Sequence, residues 1–238
     1  MKAAGRTDTG KVRNKNEDDY IIRKTPYPIL AVADGMGGHK AGDVASSLVI
    51  NVVNDYDFPE NNLNEVIMEK LVTKANEKVL NKGNKKPKYQ GMGTTLSVGA
   101  ILHNTLYYGH VGDSRIYLHR NKNLRRISQD DSLVAQLREE GKITKKEAFH
   151  HPRSNVLTQA IGLEKSLNIE AEKIKLQSND LLLFCTDGLT DMIPEETIET
   201  ILSDFEKEMV EEICDYLLQK ALAAGGTDNI TLVACFFS

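Results

Sequence analysis

The chain of 238 residues lacks most of the features that mark exported, membrane-spanning or nucleic-acid-binding proteins. Its three cysteines, Cys185, Cys214 and Cys235, are scattered through apolar segments without close pairing, which argues against a disulfide framework and suits a reducing compartment. No apolar run approaches the length needed to cross a bilayer, and Met1-Lys2 leads on without a hydrophobic signal core, so a cytoplasmic protein with no membrane partner is expected. The formal net charge of −4, with positive charge dispersed, argues against a nucleic-acid or anionic-lipid partner. The short basic patch from Lys82 to Lys88 reads as a solvated loop. No Pro-, Gly- or Ser-rich linker divides the chain, and no heptad segment is present, so one domain over residues 1–238 and a monomer are expected.

Several routes to phosphate or hydrolytic chemistry are also missing. There is no Gly-Lys-Ser/Thr phosphate loop and no His-Glu-x-x-His zinc motif. Cys185, in the run Leu181–Cys185, has Asp191 six residues on, where thiol-based phosphate chemistry needs Arg. It reads as a small buried hydrophobe.

What is present is strand-rich. Apolar runs at Ile29–Ala33, Thr95–Leu102, Thr105–His110, Arg115–His119, Leu181–Cys185 and Ile230–Phe237 read as strands bounded by turn residues. His103-Asn104 predicts a hairpin, and a further turn at Gly112-Asp113-Ser114 predicts continuation into a third antiparallel strand, a meander. Helical periodicity covers Glu65–Leu80 and Val210–Ala224, a third helix spans Asp43–Val53, and Pro194-Glu195-Glu196 starts a fourth. Antiparallel strands with long helices between distant strands predict α+β layering.

Three acidic loops stand at the ends of apolar strands: Asp34-Gly35-Met36-Gly37-Gly38-His39, Asp187-Gly188-Leu189 and Gly226-Thr227-Asp228-Asn229. A carboxylate at the end of a buried strand is costly unless a cation compensates it. The Gly or Asn after each Asp lets the backbone turn and bring a carbonyl near that cation. An all-oxygen set suits Mn²⁺ or Mg²⁺. Asp34 is the candidate for bridging two core ions, Gly35 offers its carbonyl to the first, and Asp187 and Asp228 complete the second. The implied chemistry is hydrolysis by a metal-activated water.

The run Thr7–Asp18, then AVADGMGGHKAGDVAS, GMGTT, HVGDSR, CTDGLTD and GGTDNIT, in that order, resembles the PPM family of metal-dependent serine/threonine phosphatases, type 2C, in its compact bacterial form. The resemblance implies two stacked, mainly antiparallel β-sheets flanked by helices on both outer faces, an αββα four-layer sandwich. It implies a phosphatase acting on phosphoserine and phosphothreonine in phosphorylated proteins, with a cellular serine/threonine kinase as counterpart and partner. By the same resemblance Arg13 clamps the phosphate, Glu17 and Asp18 hold metal-bound waters, and Asp113 shares a third ion with Asp187.

His39 departs from the pattern. The animal branch carries a His directly after its Asp-Gly, where Met36 stands here, so His39 donates a proton, steers substrate or orders the glycine loop. Asp131 stands where many bacterial relatives have His. Residues Ser128–Gly162 correspond to a flap beside the active site, and Leu133, Leu137 and Arg138 on its candidate helix Leu133–Glu139 are the expected substrate contacts. A second short helical piece is expected around Thr144–Ala148. The alternatives are a silent phosphoprotein-binding module, which would be expected to lose one of Asp34, Asp187 and Asp228, and the partner-switching regulatory phosphatases, which generally lack the Arg13 motif.

Overall fold

The structure, a computed structural model, describes residues 1–36, 41–144, 147–148, 151–153, 155–206 and 208–238; the predicted site residue His39 lies outside them. Two antiparallel sheets form the centre. One has the order β1 (Lys2–Asp8), β11 (Ile230–Phe237), β10 (Asp180–Cys185), β7 (Arg115–Arg120) and β8 (Asn123–Arg126). The other runs β2 (Asp18–Arg23), β3 (Ile29–Met36), β5 (Leu96–Leu102), β6 (Thr105–Val111) and β9 (Glu170–Lys175), with β4 (Gly93–Thr94) paired to the end of β3.

The apolar runs are continuous because both faces of these strands are covered. Along β3, Ile29, Ala31 and Ala33 join one buried cluster while Leu30 and Val32 join another. On β10, Leu181, Leu183 and Cys185 face one way and Leu182 and Phe184 the other, as the two-residue period of a strand requires. The shared cluster of Leu30, Val32, Leu182, Phe184 and Val233 packs sheet on sheet. Outside it, α1 (Gly42–Asn54) and α2 (Glu65–Lys85) cover the β3 sheet. On the far side, α5 (Glu195–Asp204) and α6 (Val210–Ala223) cover the β10 sheet. The result is the predicted four-layer α+β sandwich.

Helix α2 shows why helical periodicity was legible. Met68, Leu71, Val72, Ala75 and Val79 form its buried stripe, and the Asn64 side chain caps the first turn by accepting from Ile67 N. The helix continues past Leu80 to Lys85, so much of the basic patch expected to be loop is helix. Lys82 and Lys85 in its last turn complement the negative end of the helix dipole. Cys185, Cys214 and Cys235 are free and buried, and burial pushes each thiol up to about 12, which leaves them inert as nucleophiles. Among the described residues no helix is long and apolar enough to cross a membrane.

The meander is only half formed. β5 and β6 do make a hairpin, with His103 (φ 48°) and Asn104 (φ 58°) as its two left-handed turn residues. After β6, however, the chain leaves this sheet, and β7 pairs with β10 and β8 in the other. Gly112, at φ 112°, makes the corner, and Asp131 Oδ2 accepts from its N–H at 2.8 Å. Strands buried on both faces carry no alternation that declares which sheet they join. The crossover puts Asp113 where the two sheets meet.

Candidate active site

Strand ends from both sheets supply the acids. Asp34 sits near the end of β3 and is paired in register with Asp18 at the start of β2. Asp187 opens a short helix, α4 (Asp187–Thr190), directly after β10, and Asp228 precedes the neighbouring strand β11. The glycines after these acids are needed for close backbone approach rather than for a left-handed turn. A Cβ on Gly35 would lie 2.4 Å from the carbonyl oxygens of Glu17 and Gly42, and one on Gly188 would lie 1.9 Å from that of Asn229.

Arg13, Glu17, Asp34, Gly35, Asp113, Asp187 and Asp228 all line one cleft of about 620 Å³. Asp18 lies behind its wall, where Thr186 Oγ1 donates to its Oδ2 at 2.9 Å. Among the described residues, the buried Oδ1 atoms of Asp18 and Asp187 have no hydrogen-bond partner. Burial first, and neighbouring acids second, push Asp34 and Asp113 well above the usual carboxylate range. Asp187 and Asp18 are raised in the same direction, also chiefly by burial. Such a cluster attracts a cation, and its donors are all oxygen. Among the described residues no three His, Cys, Asp or Glu groups close round one point as a ready-made cage. That is compatible with Mg²⁺ or Mn²⁺, hard ions that retain several waters and need few carboxylates each.

Arg13 is in the cleft, but it is not waiting empty-handed: its Nη2 donates to Asp228 Oδ2 at 2.6 Å. The loop that carries it is pinned by Asn229, a residue read from sequence only as a turn former. Asn229 Oδ1 accepts from Glu17 N at 2.8 Å, and its Nδ2 donates to the carbonyls of Thr9 and Lys15, each at 2.9 Å. Sequence reasoning also passed over Thr186 and Asp191. Their only signal was proximity to Asp187, since a threonine or an extra Asp in a turn is common on any surface.

The flap helix α3 (Leu133–Glu139) has the predicted bounds, with Ser132 Oγ accepting from Ala135 N at 3.2 Å as its cap. Of the expected helical piece around Thr144–Ala148, Lys145 and Lys146 lie outside the described residues; Ala148 N donates to the Thr144 carbonyl at 2.9 Å and Glu147 Oε2 accepts from Thr144 N at 2.7 Å. A second cavity, of about 490 Å³, lies under α3 and shares Asp113, Asp187 and Asn155 with the cleft. Val134, Ala135 and the exposed Arg138 line it, whereas Leu133 and Leu137 are half-buried and line neither cavity.

Comparison with known proteins accounts for this arrangement. The sequence model described as Protein phosphatase 2C matches residues 10–224. The serine/threonine phosphatase stp of Listeria monocytogenes is 38% identical over 240 residues, covering 98% of this chain and 94% of the relative. The crystal structure of the serine/threonine phosphatase Stp1 from Staphylococcus aureus superimposes with a TM-score of 0.93 at 32% identity, covering 100% of this chain and 95% of that one. The catalytic domain of the serine/threonine phosphatase PstP in complex with two manganese ions has a TM-score of 0.86 at 36% identity, covering 98% and 96%. The fold is that of the serine/threonine phosphatases, and the chain is a serine/threonine phosphoprotein phosphatase. The chain belongs to the protein phosphatase 2C family.

Proposed function

We propose that this phosphatase hydrolyses phosphoserine and phosphothreonine monoesters with the help of two Mn²⁺ or Mg²⁺ ions held in the cleft, and a third near Asp113. Ions bound there supply Lewis acidity and lower the pKa of a water that attacks phosphorus. Asp34, the Gly35 carbonyl, Asp187 and Asp228 would hold the two core ions, with Asp34 as the carboxylate they would share. Glu17 and Asp18 orient the waters, which fits the place of Asp18 behind the wall. Arg13 presents a planar fork to two phosphate oxygens and keeps its charge at any working pH.

Residues 1–238 act as one domain and one monomer. The substrates are phosphorylated cytoplasmic proteins, among them the phosphorylated form of a serine/threonine kinase. His39 is left with the three roles its position allows.

The observation that carries this reading is the meeting of Asp34, Asp113, Asp187 and Asp228, from separate strand ends of two sheets, in one cleft with an orphaned buried oxygen on Asp187. Hydrolysis of p-nitrophenyl phosphate and of a phosphothreonine peptide, before and after exhaustive chelation, tests it. Activity is expected to vanish on chelation and return with Mn²⁺ or Mg²⁺ but poorly with Zn²⁺, which prefers His and Cys ligands. Full activity in protein shown to be free of metal would sink it.

A further inference from the structure

Beneath the cleft, where the flap begins, a buried carboxylate holds two arginines. Asp130, whose side chain is 7% exposed, accepts from Arg115 Nε at 3.1 Å on both oxygens, from Arg115 Nη2 at 2.8 Å and from Arg126 Nη1 at 2.7 Å. The remaining edge of Arg115 is also engaged: Nη1 donates to Tyr117 Oη at 3.5 Å, and that hydroxyl donates to Glu195 Oε1 at 3.0 Å. Two guanidinium ions on one carboxylate leave a surplus positive charge in a poorly solvated place, where charge acts over longer range than in water.

That surplus faces the acids of the cleft. Arg115 follows Asp113 by two residues, and its charge opposes the upward push of burial on Asp113, Asp187 and Asp191 alike. These three acids, Arg115 and Asp130 share the wall of the 490 Å³ cavity, which gives the guanidinium room to turn from one partner to the others. A freed Arg115 would satisfy the same carboxylates that a divalent cation needs.

We propose that Arg115 is a positioning residue for the ions: Asp130 holds its guanidinium back from Asp113, Asp187 and Asp191 and so leaves those carboxylates open to a cation. This rests on the metal-dependent reading above. Because Asp130 lies at the start of the flap, the restraint also ties the flap's position to the charge balance of the ion site. A bystander ion pair acting only through its two charges would give the double variant an affinity between those of the single ones; this arrangement makes the double variant behave like the loss of Arg115 alone.

Isothermal titration of Mn²⁺ into the ion-free protein provides the test, with thermal melts to verify folding. Asp130→Asn releases Arg115 and is expected to weaken Mn²⁺ binding about 10-fold or more. Arg115→Gln leaves Asp130 paired with Arg126 and removes the competing charge, so Mn²⁺ binding is expected to tighten several-fold. The double variant is expected to behave like Arg115→Gln, since without Arg115 there is nothing for Asp130 to restrain. Weakening by both single variants, or unchanged affinity in a folded Asp130→Asn protein, overturns the proposal. Where Asp130→Asn does not fold, Arg115→Gln against Arg115→Lys decides: tightening only on loss of the charge supports it, and weakening by Arg115→Gln overturns it. Wild-type protein that binds no Mn²⁺ would instead defeat the metal-dependent reading itself.

Discussion

Arg13 and Asp228, 215 positions apart in sequence, are joined by an ion pair of 2.6 Å from Nη2 to Oδ2, so the proposed phosphate clamp rests on a proposed metal ligand. Asp187 and Asp34 attract the same guanidinium more weakly. Arg13 is thus a counter-charge of the acid cluster. On the proposed reading, a cation held by Asp228 would compete with Arg13 for that carboxylate and would free the guanidinium for the ester.

Arg13→Ala is therefore expected to lower kcat/KM by about 2–4 kcal/mol, roughly 30- to 1000-fold, because the contact is to phosphate. Mn²⁺ affinity should hold or rise, since a competitor has gone. Calorimetry showing Mn²⁺ binding abolished in this variant would contradict the division of labour.

Asp34→Asn and Asp228→Asn are each expected to cost several orders of magnitude in kcat, as ion binding and nucleophile generation fail together. For Asp34→Asn a second readout separates chemistry from folding. Removing one like-charged group from a buried cluster should leave the Tm in chelator at or above that of the wild type. Near-normal turnover in a folded variant would remove that residue from the ion site.

Asn229→Ala strips the partners from Glu17 N and from the carbonyls of Thr9 and Lys15. A loss of about 1–3 kcal/mol in urea unfolding is expected, together with faster amide exchange at Glu17. Exchange at Glu17 unchanged from wild type would show that the loop is held by other means.

In the flap, Arg138 lines the second cavity whereas Leu133 and Leu137 do not. Arg138→Ala should reduce phosphopeptide hydrolysis much more than p-nitrophenyl phosphate hydrolysis, because contacts remote from phosphorus act only on the larger substrate. Leu133→Ala and Leu137→Ala should lower Tm and both activities together. Equal proportional losses for Arg138→Ala on the two substrates would leave the flap without a recognition role.

Burial opposes ionisation of Asp130, but Arg115 and Arg126 outweigh it and hold the carboxyl below its ordinary value. A depressed acid contributes stability above its unfolded pKa of about 4, and that contribution is lost as pH falls through the folded value. The difference in unfolding free energy between wild type and Asp130→Asn should accordingly shrink as pH drops below about 4. A difference that stays constant across this acid limb would mean that the ion pair does not stabilise the fold.

What the sequence determined by itself was whatever depends on near neighbours along the chain. The unbroken apolar runs of β3, β5, β10 and β11 and the 3.6-residue stripe of α2 need no partner to be read, because burial on both faces of a strand or one face of a helix leaves its own period. The Asp-Gly and Thr-Asp-Asn loops, with their order along the chain, were enough to mark the acids and the family. Tertiary structure decided the rest. The half-exposed strands β2 and β9 show no such run, and they exist because their backbones pair along their whole length with β3 and β6. The jump of β7 to the other sheet at Gly112, the pinning of the Arg13 loop by Asn229, and the pairs Arg13–Asp228 and Arg115–Asp130 share one cause. Each depends on which strand ends and loops the stacked sheets bring within reach, and a short polar contact between distant segments leaves no periodic trace in the residues around it.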